Sequence, residues 1–205
     1  MADTVTYTPI ATNTPGSAAS SVTFSSIPGT YTDLVLVFEG AASAAAANGF
    51  QIKINGASGT LQSYTRLQGN GTTASSFYVA NGDPACGVIG NTNRSNIIAH
   101  IMNYSNATTF KSMISRSHAV SWYVITKTLL WRNTSPITSI VFTSESSSNF
   151  VTGSTFNMYG IKAALFPKAD GGDLVVQDGQ YWYHAFRTTG KFSPKQTLTC
   201  DYLVV

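Results

Sequence analysis

The stretch Ile137–Leu165, ITSIVFTSESSSNFVTGSTFNMYGIKAAL, decides the fold class. Its first arm sets Ile137, Ile140 and Phe142 in a β-rich run. Its second alternates Phe156 and Met158 against Asn157 and Tyr159, then closes on Ile161, Ala164 and Leu165. Each arm predicts a strand. The connector SESSSNFVTGS is too polar for a core and too rich in serine for a helix, so it reads as a long loop with one apolar foot at Phe150-Val151. Gly160, inside the second arm, marks a bulge or a close backbone approach, as expected of a strand in a curved sheet that faces a second sheet.

Working outward, the same signature recurs. Upstream, a polar N-terminal arm precedes a short strand around Val22 to Phe24, a Pro28-Gly29 turn, and the run Leu34 to Phe38, apolar on both faces as a central strand is. GAASAAAANG, residues 40–49, has helix-forming alanines but glycine at both ends and no amphipathic face, so it is expected as a loop or single turn. FQIKING, residues 50–56, is a strand with one wet face ending at an Asn-Gly turn. Two more short strands lie near Leu61 to Leu67 and Phe77 to Val79. SNIIAHIMNYS pairs with FKSMIS as a hairpin, and AVSWYVITKTLLWRNTSP gives a long strand that stops before Pro136. About eight to ten strands at short spacing, with no amphipathic helix, predict an all-β fold. We expect a jelly-roll-like antiparallel β-sandwich over residues 1–166. After the polar break KADGGDL, a small β appendage is expected over 170–205, with turns at Asp178-Gly179 and Thr189-Gly190. Its last residues, DYLVV, read as an exposed apolar strand that wants a partner.

The chain of 205 residues carries only 10% charged residues and a net charge of +3, with lysines and arginines scattered rather than clustered. That excludes the basic stripe a nucleic-acid footprint needs. Cys86 and Cys200 stand alone without a CxxC spacing or a histidine cluster, so two buried thiols are expected, with one disulfide as the minority case and no metal site. MADTVTYTPIATNTP has neither a basic nor an apolar leader region, so no secretory signal is expected; nor does any segment have the length of a membrane span. The sequons at Asn70, Asn93, Asn103, Asn106 and Asn133 carry no weight in so Asn/Ser/Thr-rich a chain.

Catalytic constellations are weak. His100 in IIAHIMN reads as a partly buried, hydrogen-bonded strand histidine. His118 in SRSHAVSW reads as a polar strand entry without a GxSxG elbow. Asp83-Pro84 in NGDPACG is a turn former before it is a partner for Cys86, and nothing in the spacing of Glu39, Glu145 and the aspartates favours a glycosidase pair or a calcium loop. No enzyme and no cofactor are expected. The aromatics are more informative. Trp122 and Trp131, nine residues apart on one strand, fall on opposite faces by ideal alternation, one for core and one presented, and both are candidates for a glycan contact. Tyr181, Trp182 and Tyr183, beside His184, could stack on a sugar, but a subunit interface together with Leu203 and Val204 is the better reading. Arg66, Arg132 and Arg187 are candidate interface donors.

The segments FSSIPGTYTDLVLVFEG, NYSNATTFKSMIS, LLWRNTSPITSIVFTS and FNMYGI resemble recurring phrases of tailed-bacteriophage virion proteins. YHAFRTTGKFSPKQTLTCDYLVV is similar to the lead-in that runs into a polyglycine tract in many phage tail-fibre and adhesin-like proteins, although here no such tract follows. The resemblance covers most of the chain. It implies a non-enzymatic virion component of a tail fibre or tail tip, involved in assembly and host attachment. It further implies a homo-oligomer, a trimer being the first order to test, whose partners are other phage virion proteins and a host surface glycan. A capsid decoration or head-fibre subunit and a glycan-binding module remain the alternatives.

Overall fold

The computed structural model describes all residues except 1–5, 44–47, 58–60, 83–84, 92, 120–122, 146–147, 163–166, 179–180 and 205. The chain divides into two compact units, one over Thr6–Lys162 and one that contains residues 163–205. Among its described residues the first holds twelve strands: β1 Thr8–Asn13, β2 Ser21–Phe24, β3 Asp33–Gly40, β4 Asn48–Ile54, β5 Gln62–Gly69, β6 Ala74–Val79, β7 Ala85–Ile89, β8 Ser95–Met102, β9 Lys111–Ala119, β10 Tyr123–Trp131, β11 Ile140–Ser144 and β12 Thr155–Ile161. They form an eight-stranded sheet in the order β1-β12-β3-β8-β9-β10-β5-β6 and a four-stranded sheet in the order β2-β11-β4-β7, with every adjacent pair antiparallel. The protein is an all-β sandwich of unequal layers.

The deciding stretch does form two strands, one in each sheet. β11 lies in the small sheet and β12 in the large one, so the serine-rich connector is the crossover between layers. Its apolar foot is real: Phe150 is fully buried and bridges both Ala19 and Ala42. Around it the rings of Phe38, Phe50, Phe142 and Phe156 pack with centroids 4.5 to 6.4 Å apart, drawn from both layers. This aromatic knot is the centre of a core that runs from Ile52, Ile54 and Ile140 on one sheet to Leu34, Ile101, Met113 and Met158 on the other.

Local chemistry sets the turns. Asn55 (φ 50°) and Gly56 (φ 69°) occupy the left-handed region after β4, and the Asn55 side chain accepts from the Thr138 and Ser139 amides at 2.9 and 3.1 Å. Asn70 Oδ1 accepts from the amides of Thr72 and Thr73 in the β5–β6 turn, and Gly71 supplies a φ of 86° at its first central position. Asn106 does the same for Thr108 and Thr109 between β8 and β9, and Asn133 for Ser135. Asn70, Asn106 and Asn133, which open three of the sequons, thus organise turns.

Several expectations change. β1 and β7 were not foreseen, whereas β10 ends at Trp131, before Pro136 as expected. Gly40 ends β3 and Asn48-Gly49 open β4; residues 44–47 of the alanine tract lie outside the described residues. Cys86 is buried but Cys200 is exposed, and both thiols are free.

The second unit contains β13 Ala169–Asp170 paired with β16 Ser193–Pro194, and β14 Leu174–Asp178 paired with β15 Tyr181–Ala185. Asp173 ties the end of β15 down by accepting from the Arg187 and Thr188 amides, which hold its carboxyl below the usual carboxylate range. Asp201–Val204 is not a strand here: Tyr202, Leu203 and Val204 are 91, 87 and 84% exposed.

Candidate functional site

Several titratable groups engage structural partners. His100 on β8 is half-buried, its Nε2 3.0 Å from Asp33 Oδ2, while Asp33 Oδ1 accepts the Asn103 amide at 2.7 Å. The pair pins the end of β8 to the start of β3. His118 lies within β9 rather than at a strand entry. Glu39 receives Arg94 Nε at 3.0 Å, and Glu145 receives Gln51 Nε2 at 3.4 Å. Desolvation pushes the Cys86 thiol up to about 12, the opposite of what activates a nucleophile. Asp83 and Pro84 lie outside the described residues. Two lysines are buried. Lys111 donates from Nζ to the carbonyls of Thr109 and Thr134, and Lys127 donates to that of Ala85 with its Nζ 4.7 Å from the Tyr64 ring centroid. Lys111 thus lies between two carbonyls and Lys127 between a carbonyl and a ring face, and burial lowers the pKa of each.

The large sheet's outer face has a different chemistry. Directly opposed residues in antiparallel strands point to the same face, so the registers assemble rows. One row runs Tyr159, Val35, His100, Ile114, Thr128, Thr65, Tyr78 from β12 to β6. Its neighbours contain Met102, Ser112, Leu130 and Ser63 on one side, and Arg116, Thr126, Leu67 and Ser76 on the other. Met102, Ile114, Leu130, Leu67, Val124 and Tyr78, all on this face of β8, β9, β10, β5 and β6, are 38 to 76% exposed. Arg116 and His118 are the charged or titratable residues in its β9–β10–β5–β6 part, and the rest are hydroxyl or apolar. Such a face is suited to contact by shape and dispersion rather than by charge.

A cleft of about 540 Å³ opens elsewhere between β1 and β2, lined by Ile10, Phe24, Ile27, Tyr31 and Met158 with a rim from Thr23 to Ser26.

No family model matches the chain, and no curated protein or solved structure is significantly similar to it.

The aromatic candidates separate. Trp131 is 1% exposed and belongs to the core, so it offers no face to a glycan; its row neighbours Lys111 and Gln62 are equally buried. Trp122 lies outside the described residues. On the β14–β15 hairpin, Tyr181 and Tyr183 are 63 and 56% exposed and share a face with Val176, while Trp182 is half-buried on the other face with His184. His184 Nδ1 is 2.6 Å from the Gly171 carbonyl oxygen, and its ring meets Phe192 edge-on. Leu203 and Val204 are exposed. Arg66 stacks 5.3 Å from the Phe77 ring, and Arg132 bonds the Ala80 carbonyl and Asn81 at the end of β6. Sequence reasoning missed the outer sheet face. Its signal was present in the Leu129-Leu130 pair, which is apolar on both faces of β10, and in ASSFYV, a strand without any charge.

Proposed function

We propose that the protein is a non-enzymatic structural component of a bacteriophage virion, a homo-oligomer in a tail-fibre or tail-tip assembly that serves assembly and host attachment. The phage part of this reading is supported by the resemblance of the segments around residues 24–40, 103–115, 129–144 and 156–161 to virion proteins. The observation that carries the assembly part is the outer face of β8, β9, β10, β5 and β6. Five strands spaced about 4.8 Å apart, over four rows, span about 400 Å², and a patch of that size on a chain with 10% charged residues suits protein contact. Alone it is about half of what one partner buries in a standard interface, so assembly through it draws on adjoining surface.

The test is immunogold labelling of particles purified from the host that carries the gene. Label at the tail is expected. Label on capsid vertices or faces would overturn the tail placement in favour of a decoration subunit, and unlabelled particles would overturn the virion reading.

A further inference from the structure

The sandwich has four sheet edges, and three are protected. β1 carries Pro9 and a register shift between Pro9 and Ala11. β2 has only four residues, and β7 is buried at all five of its positions. Proline, bulges, short length and coverage are the devices by which native sheets avoid edge pairing. β6 has none of them. Its six residues, ASSFYV, contain no charge and no proline, and five are exposed.

The direction of its free backbone groups follows from the turn. The Asn70 amide donates to the Thr73 carbonyl at 3.1 Å, so residues 70 and 73 form a hydrogen-bonded pair. With Gln68 opposite Ser75 and Arg66 opposite Phe77, alternation turns Ser75, Phe77 and Val79 toward β5 and leaves the N–H and C=O groups of Ala74, Ser76 and Tyr78 facing away. These three residues are symmetric about Ser76. A copy of the same strand, rotated by a twofold axis normal to the sheet through Ser76, meets all of them in register.

We propose that β6 pairs antiparallel with β6 of a second copy, centred on Ser76, so that two eight-stranded sheets become one continuous sheet across a dimer. The ladder sets Ser76 opposite Ser76, Ala74 opposite Tyr78 and Ser75 opposite Phe77, a large side chain over a small one in each unlike pair. Tyr78 and Phe77, 76 and 42% exposed in the single chain, gain cover on the outer and inner faces respectively. The even register keeps outer face with outer face, so the rows ending at Tyr78 and Ser76 continue into the second copy. Charge complementarity imposes no other partner, since the strand is uncharged and Arg66 already lies over Phe77. The inference takes up the homo-oligomer of the proposed function and names its contact. A twofold contact closes a dimer, where the resemblance suggested a trimer.

Light scattering of the full chain across a range of concentrations tests it, with two variants. The wild type is expected near twice 21.8 kDa. Ser76→Pro removes an outward N–H that β5 does not use, so the variant is expected to keep the wild-type circular dichroism and fall to a monomer. Ser76→Lys sets ammonium against ammonium at the axis. It is expected to weaken dimerisation several-fold at low salt and to recover when salt is raised, which a merely misfolded variant does not do. A wild type that is monomeric or trimeric throughout, or a Ser76→Lys chain that dimerises as the wild type does at low salt, overturns the pairing. Immunogold labelling is independent of this readout. A labelled but monomeric protein sinks the edge contact alone, whereas a β6 dimer that leaves particles unlabelled sinks the virion reading alone.

Discussion

Lys127 Nζ donates a 2.9 Å hydrogen bond to the carbonyl of Ala85, tying the inner face of the large sheet to the first residue of the small sheet's edge strand β7. The lysine is 3% exposed, and the adjoining Cys86 is 1% exposed.

This pair predicts an unusual alkaline pH dependence. Burial brings the Lys127 ammonium down from 10.5 to about 8. Between those values the unfolded chain holds a proton that the folded chain has released, so stability rises with pH. Cys86 opposes it: desolvation raises the thiol from 9.0 to about 12, and in that window the folded chain keeps a proton the unfolded chain loses, so stability falls as pH rises. The interval from pH 8 to 9 therefore belongs mainly to Lys127, whose share of the gain is about 1 kcal/mol. Urea unfolding of wild type and Lys127→Met at both ends of that interval should show the rise in the first and its loss in the second. Equal slopes would mean that the amine is not desolvated.

Gly160 on β12 lies against Tyr31, whose ring a Cβ at position 160 would overlap. Gly160→Ala should cost about 1–3 kcal/mol by forcing the ring aside. Tyr31→Ala in the same chain should cancel much of that cost, giving a coupling of about 0.5–3 kcal/mol in a double-mutant cycle read by thermal unfolding. Additive single effects would place the strain elsewhere.

Among the described residues, Phe150 is the one side chain through which the crossover from β11 to β12 enters the aromatic knot, and its backbone exchanges hydrogen bonds of 2.8 and 3.1 Å with Ala19. Phe150→Ala should lower stability by about 3–5 kcal/mol. Phe150→Leu, which keeps most of the volume, should cost much less in the same urea titration. If the two were equal, ring packing would not be what fastens the crossover.

These residues also mark how far the sequence could be read. Phe150, Phe156 and Met158 were legible because a polar loop or a strict alternation isolates each apolar side chain, and a core is the one place for it. The β8–β9 hairpin and the bonded strand histidine His100 followed from the same periodicity. β7 was hidden because ACGVI is short and hemmed by glycine and proline, and its burial on both faces comes from partners distant in sequence. β1 was hidden because Pro9 argues against a strand, and an edge is where that argument fails. Trp131 shows the limit of alternation: the period tells that two tryptophans differ in facing, but only the second sheet decides which way is in. The outer face was illegible for a related reason. Thr65, Leu67, Thr126 and Ile114 are neighbours across strands, and no window along the chain contains them together.

The row that holds Trp131 makes one further prediction. Gln62 on β5 stands directly opposite Trp131 on β10, both on the inner face and both 0 to 1% exposed. Neither Oε1 nor Nε2 of Gln62, nor Nε1 of Trp131, has a hydrogen-bond partner among the described residues. A buried amide in that state costs about 1–3 kcal/mol relative to one that is paired. Methionine has nearly the same length and no polar end, so Gln62→Met should stabilise the sandwich by about 1 kcal/mol or more, whereas Gln62→Ala should lose stability through the void it leaves. Trp131→Phe removes the second orphan group but also volume, so its own effect is small and of either sign. The informative quantity is the coupling between Gln62→Met and Trp131→Phe. If the amide and the indole satisfied each other in solution, the first change would strand the indole N–H, Gln62→Met would destabilise, and the double mutant would recover the loss. A stabilising Gln62→Met with a coupling near zero, measured by urea unfolding of all four chains, is the expected outcome.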